Sequence, residues 1–124
     1  MPEEGLTKKQ EELVDRLIKA GLQKNIARTL VFVASRKETK SREIEDATDL
    51  RQPEVSIAMQ ELRGKGWVTK RDIKKEGKGR PVHGYQLDEP IEEIIKEIEE
   101  KEEERIDEIK ENLKEIKNRS KDAF

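Results

Sequence analysis

Between Arg51 and Leu87 the apolar residues change period, and that change limits what the chain can fold into. Val55, Ala58, Met59 and Leu62 recur at helical spacing behind Pro53. Proline is suited to a first helical turn because its missing amide hydrogen would be unpaired there anyway. Gly64 and Gly66 interrupt the run, and the residues from Trp67 to Ile73 are β-prone. A stretch containing glycine and proline, Lys74 to Pro81, leads to a second β-prone run, Val82 to Leu87, with Val82, Tyr85 and Leu87 as its apolar or aromatic members. A helix followed by two strands around such a loop predicts a helix closing on a β-hairpin.

Upstream of this segment the period is helical. Thr7 and Gln10 have capping-box spacing, in which each side chain satisfies a free amide of the first turn. Leu13, Val14, Leu17 and Ile18 follow on one face, and Gly21 can end that helix. A second helix is expected from about residue 23 to residue 35, with Ile26, Leu30, Val31 and Val33 buried. Its broad apolar face predicts the central helix of the core. Lys37 to Lys40 reads as a short polar break, Ser41 to Ala47 as a brief helix burying Ile44 and Ala47, and Thr48-Asp49-Leu50 as a tight turn.

Downstream, Pro90 opens the last element. Ile91, Ile94, Ile95, Ile98, Ile106, Ile109, Leu113 and Ile116 stand on a background of Glu, Lys and Arg without Gly or Pro. The last four are spaced three, four and three, a heptad-type stripe. Nothing between Ile98 and Ile106 is apolar, so the register slips as it does at a stutter. A continuous helix here would reach roughly 40 Å, and one helix cannot bury such a stripe alone. Ile91, Ile95, Ile98, Ile106, Ile109, Leu113 and Ile116 are therefore the expected seam of a homodimer, with a solvated charged face as the plainer reading.

Composition agrees with an extended part. Of 124 residues only 31% are hydrophobic and 45% are charged, fewer apolar residues than a compact sphere of this length would hold. The same numbers suit disorder, but the apolar residues are periodic rather than scattered. Without cysteine the chain has no disulfide, thiolate nucleophile or Cys-based metal site. No apolar run approaches the ~18 residues of a membrane span, and the first residues lack the pattern of a signal peptide, so a cytoplasmic protein is expected. The net charge of −2 conceals an asymmetry. Arg51 to Val82 holds nine bases and four acids, whereas Glu89 to Arg119 holds thirteen acids and seven bases. A basic module is joined to an acidic one.

Helix, helix, turn, helix, then a basic hairpin is the order of a winged helix-turn-helix. A helix fits the major groove, where base edges present distinguishable donors and acceptors, and a basic hairpin can lie on the backbone or enter a minor groove. The expected class is mainly α with a small β-hairpin (α+β). Its parts would be an N-terminal helix (1–22), a winged helix-turn-helix (23–88), a dimerisation helix (89–119) and a tail (120–124).

The run from Ile44 to Val68, with Val55-Ser56 near a helix start, Leu62 following and Lys65-Gly66-Trp67-Val68 at its exit, resembles winged-helix regulators of the MarR and ArsR types. Gly79-Arg80-Pro81-Val82-His83-Gly84-Tyr85-Gln86-Leu87 is similar to the wing and returning strand of such proteins, and the likeness covers roughly residues 23 to 88. The resemblance implies that the helix from Pro53 to Arg63 is the recognition helix and that double-stranded DNA is the partner. Helical geometry leaves Gln52, Glu54, Ser56, Ile57, Gln60 and Arg63 outward. Gln52 and Gln60 suit adenine edges, Ser56 a phosphate or base, Ile57 a thymine methyl and Arg63 a phosphate. Arg51 and Pro53 belong to the same surface. Arg80 looks like the wing-tip residue of a minor groove, supported by Lys75 and Lys78.

Two other classes stay open. A winged helix can serve as a protein-interaction module, in which case Lys74 to Arg80 is only a solvated turn. An enzyme is the remote case: one histidine, His83, has no partner in view, and carboxylates spread along an exposed helix are not a catalytic pair. Trp67 reads as core, and Gly77-Lys78-Gly79 lacks the spacing of a phosphate loop. No metal or cofactor is expected, and no residue requires a small-molecule effector.

Overall fold

The computed structural model describes residues 5–73 and 82–124. By its internal contacts the chain divides into two compact units, Met1–Ile91 and Glu92–Phe124. The first contains α1 (Lys8–Lys19), α2 (Lys24–Ala34), β1 (Thr39–Lys40), α3 (Ser41–Thr48), α4 (Gln52–Gly64), β2 (Val68–Ile73) and β3 (Val82–Leu87). The second is the body of α5 (Ile91–Ala123), a helix of 33 residues. This is a mainly helical α+β winged helix-turn-helix with a long C-terminal helix.

The helix ends are set by chemistry visible in the chain. Gln10 donates its amide to Thr7 Oγ1 at 3.1 Å, and Thr7 donates its own to Gln10 Oε1 at 2.9 Å, closing the capping box of α1. Gly21 has φ +104°, and the Gly21 and Leu22 amides donate to Ile18 and Leu17 carbonyls. Gly66 repeats this at the end of α4, with φ +78° and bonds from Gly66 and Trp67 to Arg63 and Leu62. Both are Schellman closures, which need a residue that takes positive φ without steric cost.

α2 is central as expected. It touches α1, α3, α4 and β3, and Ile26, Ala27, Leu30, Val31, Phe32 and Val33 are all buried along it. Val14 and Leu17 of α1, Ile44 and Ala47 of α3, and Val55, Ala58, Met59 and Leu62 of α4 complete the core with Trp67, Val68 and Tyr85. Leu13 instead stays exposed. Arg28 of α2 binds both carboxylate oxygens of Glu11 on α1, at 2.7 and 2.9 Å, which fixes that pair of helices.

The sheet carries a strand that the periodicity does not predict. Within the stretch read as a polar break, Thr39 and Lys40 pair antiparallel with Tyr85 and Gly84, giving the order β1-β3-β2. Two residues are too few to alternate visibly, and the pairing partner lies far along the chain. β2 and β3 pair antiparallel from Val68–Leu87 to Ile73–Val82, as the hairpin reading expects.

α5 is continuous through the stutter and runs on to Ala123, so Ser120 to Ala123, expected as a tail, is helical. That segment contains neither Gly nor Pro to stop it. At about 1.5 Å per residue the helix spans roughly 50 Å.

Candidate nucleic-acid interface

α4 presents one face to the core and leaves the other free. Val55, Ala58, Met59 and Leu62 are at most 2% exposed, whereas Arg51, Gln52, Pro53, Ser56, Ile57, Gln60 and Arg63 are all exposed. Ile57 is 61% exposed in the middle of that polar face. These residues are the outward set expected from helical geometry. They form a single surface.

Glu54 differs from that expectation. Its Oε1 accepts the Arg51 backbone amide at 3.0 Å and its Oε2 accepts from Asn25 Nδ2 at 3.3 Å. The carboxylate is therefore spent on holding the first turn of α4 to the start of α2. A glutamate at the third position of a helix does this because the N-cap amide lacks a helical acceptor. The α3–α4 turn is set similarly by Asp49, whose φ of +59° is one that aspartate tolerates, and by Thr48, whose hydroxyl donates to the Ile44 carbonyl at 2.6 Å.

On the hairpin the described residues carry two cross-links. Arg71 Nε donates to Glu38 Oε2 at 2.6 Å, tying β2 to the segment before β1. His83 Nδ1 lies 2.7 Å from Asp72 Oδ1, its direct neighbour in the β2–β3 register. His83, without a partner at the level of sequence, thus has one, and strand register supplies it. Lys70 stays exposed on the same hairpin. Lys75, Lys78 and Arg80, expected at the wing tip, lie outside the described residues.

At the opposite end of α4, the exposed Arg63 lies near enough to Tyr85 of β3 for its charge to act there. Burial pushes the Tyr85 phenol above its ordinary pKa, and the positive charge of Arg63 partly offsets that rise. Trp67, in the core as expected, packs under the ammonium of Lys65 at 5.2 Å from the ring centre.

Sequence reasoning missed two cations. An open cleft of about 530 Å3 lies where the starts of α3 and α4 meet β3, bounded by Lys40, Ser41, Arg42, Glu45, Gln52, Val82, His83 and Tyr85. Lys40 and Arg42 are exposed at this cleft, beside Gln52 of α4. Only the β1–β3 pairing brings them there, so no local motif could announce them. Among the described residues, no group of three or more His, Asp or Glu side chains is placed to hold a metal ion. None of their helices is long and apolar enough to cross a membrane.

Along α5 the expected seam splits. Ile94 and Ile98 are buried within the single chain, so Ile98 is already covered. Ile91 is half-buried and Ile95 is 38% exposed. Ile106, Ile109, Leu113 and Ile116 are each about half exposed, between 49 and 55%. The uncovered stripe is therefore these last four. The stutter marks the boundary between a buried and an exposed stretch of one helix.

No protein-family model matches the sequence, and no curated relative matches it. Solved structures do resemble the fold. A crystal structure of NadR in complex with 4-hydroxyphenylacetate is similar over 86% of this chain and 76% of its own, with 22% identity and a TM-score of 0.53. The homodimeric winged helix-turn-helix DNA-binding domain Mb0332 of Mycobacterium bovis, described as a possible ArsR-family transcriptional regulator, is similar over 85% of this chain and 92% of its own. It shares 19% identity at a TM-score of 0.47.

Proposed function

We propose that the chain is a sequence-specific, double-stranded DNA-binding transcription regulator of the cytoplasm that acts as a homodimer. The observation that carries this reading is the free face of α4. Gln52, Ser56, Ile57, Gln60 and Arg63 project together from a helix whose other side is locked into the core. Polar amides and a lone exposed isoleucine match the mixed surface of a major groove, which offers hydrogen-bonding edges and thymine methyls. Lys40, Arg42, Arg51 and Arg63 supply positive charge around that face, as phosphate contacts require. The hairpin would then lie against the backbone or in the adjacent minor groove. The exposed stripe of α5 supports a second copy as partner, and a two-fold dimer would bring two α4 helices to successive major grooves roughly 34 Å apart. Effector binding is no part of this reading, and neither is catalysis.

The test is selection of duplex fragments from a genomic pool, followed by affinity measured over a range of salt. Several phosphate contacts predict that log K falls linearly with log salt, with a slope near −0.9 for each neutralised phosphate. A pseudo-palindromic selected site is expected. No duplex binding, or binding flat in salt, sinks the proposal.

A further inference from the structure

The exposed stripe of α5 also carries information about how two copies would meet. We infer that the α5 helices pair antiparallel, in a register centred on Glu111, with a second copy of this chain as the occupant. This rests on the homodimer reading above and adds orientation and register to it.

The apolar block is symmetric about Glu111. Ile106 and Ile116 lie five residues to either side, and Ile109 and Leu113 two. Antiparallel pairing therefore faces Ile106 with the partner's Ile116 and Ile109 with the partner's Leu113, filling every apolar layer. A parallel pair fills those four layers equally well, so the decision falls on what flanks them.

Continued toward the N-terminus at the same three-and-four spacing, the seam positions are Glu102 and Glu99; toward the C-terminus they are Ser120 and Ala123. A parallel pair would set Glu102 against the partner's Glu102 and Glu99 against the partner's Glu99. Like charges placed opposite each other and partly desolvated repel. The antiparallel register sets Glu102 against the partner's Ser120 and Glu99 against the partner's Ala123, two small residues that leave room for the carboxylates.

The charges beside the seam point the same way. Glu99 to Glu104 holds five carboxylates and Lys101 alone as a base; Lys114 to Lys121 holds four bases and Glu115 alone as an acid. Antiparallel pairing lays each acidic stretch along the partner's basic one, and Glu103 meets the partner's Lys117. Parallel pairing lays acid along acid. Arg105 and Arg119 would face each other in the antiparallel register, but each is held by a carboxylate of its own helix. Arg105 Nε is 3.1 Å from Glu102 Oε1 and Arg119 Nε 3.4 Å from Glu115 Oε2. That offsets their repulsion.

The cysteine-free chain allows single spin labels on the full-length protein, at Lys101→Cys and separately at Asn112→Cys. Pulsed dipolar distances are expected at roughly 30 Å for position 101, ten residues from the centre on each helix at 1.5 Å rise. Position 112 lies next to the centre, where the axes are roughly 8–10 Å apart and the labels should be within about 20 Å of each other. Short distances at both positions would overturn the orientation while leaving the homodimer standing. No dipolar coupling at either, at concentrations where the wild-type chain sediments as a monomer, would remove the homodimer and this inference with it. Charge reversal gives a second measurement. Glu103→Lys or Lys117→Glu alone should weaken dimerisation by roughly five-fold, and the two together in one chain should restore it. A double variant as weak as the sum of the singles would reject the register.

Discussion

α4 and α5 are both amphipathic helices, and they differ in which face is left over. In α4 the apolar side is used up inside the domain and the polar side is free. In α5, beyond Ile98, the apolar side is the one left uncovered. A surplus polar face with a rigid base suits a partner that presents hydrogen-bonding groups and phosphates. A surplus apolar stripe can be satisfied only by another apolar surface, because exposed apolar area gains free energy on leaving water. One chain thus carries two unfinished surfaces of opposite chemistry, as the proposed dimeric DNA-binding function requires. The charge division follows the same line, with bases in excess from Arg51 to Val82 and acids in excess from Glu89 to Arg119.

The comparison breaks most easily at α5. Changing Ile109 and Leu113 to Asp places four carboxylates in the proposed seam of a dimer. We expect the dimer constant, read by sedimentation, to weaken by at least 100-fold, since losing a buried Leu or Ile costs roughly 2–5 kcal/mol even without adding charge. The first unit should keep its near-ultraviolet signal from Trp67, and affinity for a two-half-site duplex should collapse toward that of one half-site. Unchanged dimerisation would mean that the stripe is not the seam.

Next in size are the changes on the free face of α4. Gln60→Ala should cost about 1–3 kcal/mol for the selected site and almost nothing for random duplex, if Gln60 reads a base edge. Arg63→Ala should act differently, lowering affinity for all sequences and reducing the salt slope by about one per subunit. Competition binding with selected and random duplexes separates the two. An equal loss on both sequences for Gln60→Ala would turn that residue into plain surface.

The outward placement of these residues is legible in the sequence because α4 repeats its apolar residues without a gap and is bracketed by Pro53 and Gly66. The same local clarity marks the capping box at Thr7, the Gly21 stop, the two long strands and the exposed apolar stripe of α5. What escaped were features made by distant partners. The strand Thr39–Lys40 exists only because β3 accepts it. The bond between His83 and Asp72 needs the hairpin register, and the role of Glu54 needs Asn25 from α2. Lys40 and Arg42 reach the cleft by the same long-range pairing. Ile98 shows the opposite limit: a helical stripe marks a residue that wants cover without saying what covers it, and Ile98 is buried where the outer stripe is exposed.

The smallest expected effect tests whether α4 is a firm base, the property that separates it from the outer part of α5. Glu54→Ala removes the acceptor for the Arg51 amide and for Asn25 Nδ2 together. Capping interactions of this kind are worth about 1 kcal/mol, which should lower Tm by roughly 4–8 °C in a domain of this size. The dimer constant should not move, because nothing in α5 depends on that carboxylate. Specific DNA affinity should fall a few-fold, as the first turn carrying Gln52 frays, while random-sequence affinity rises slightly with the loss of a negative charge near phosphate. A fall of equal size on both kinds of DNA would show that Glu54 supports the domain as a whole rather than the placement of its reading face.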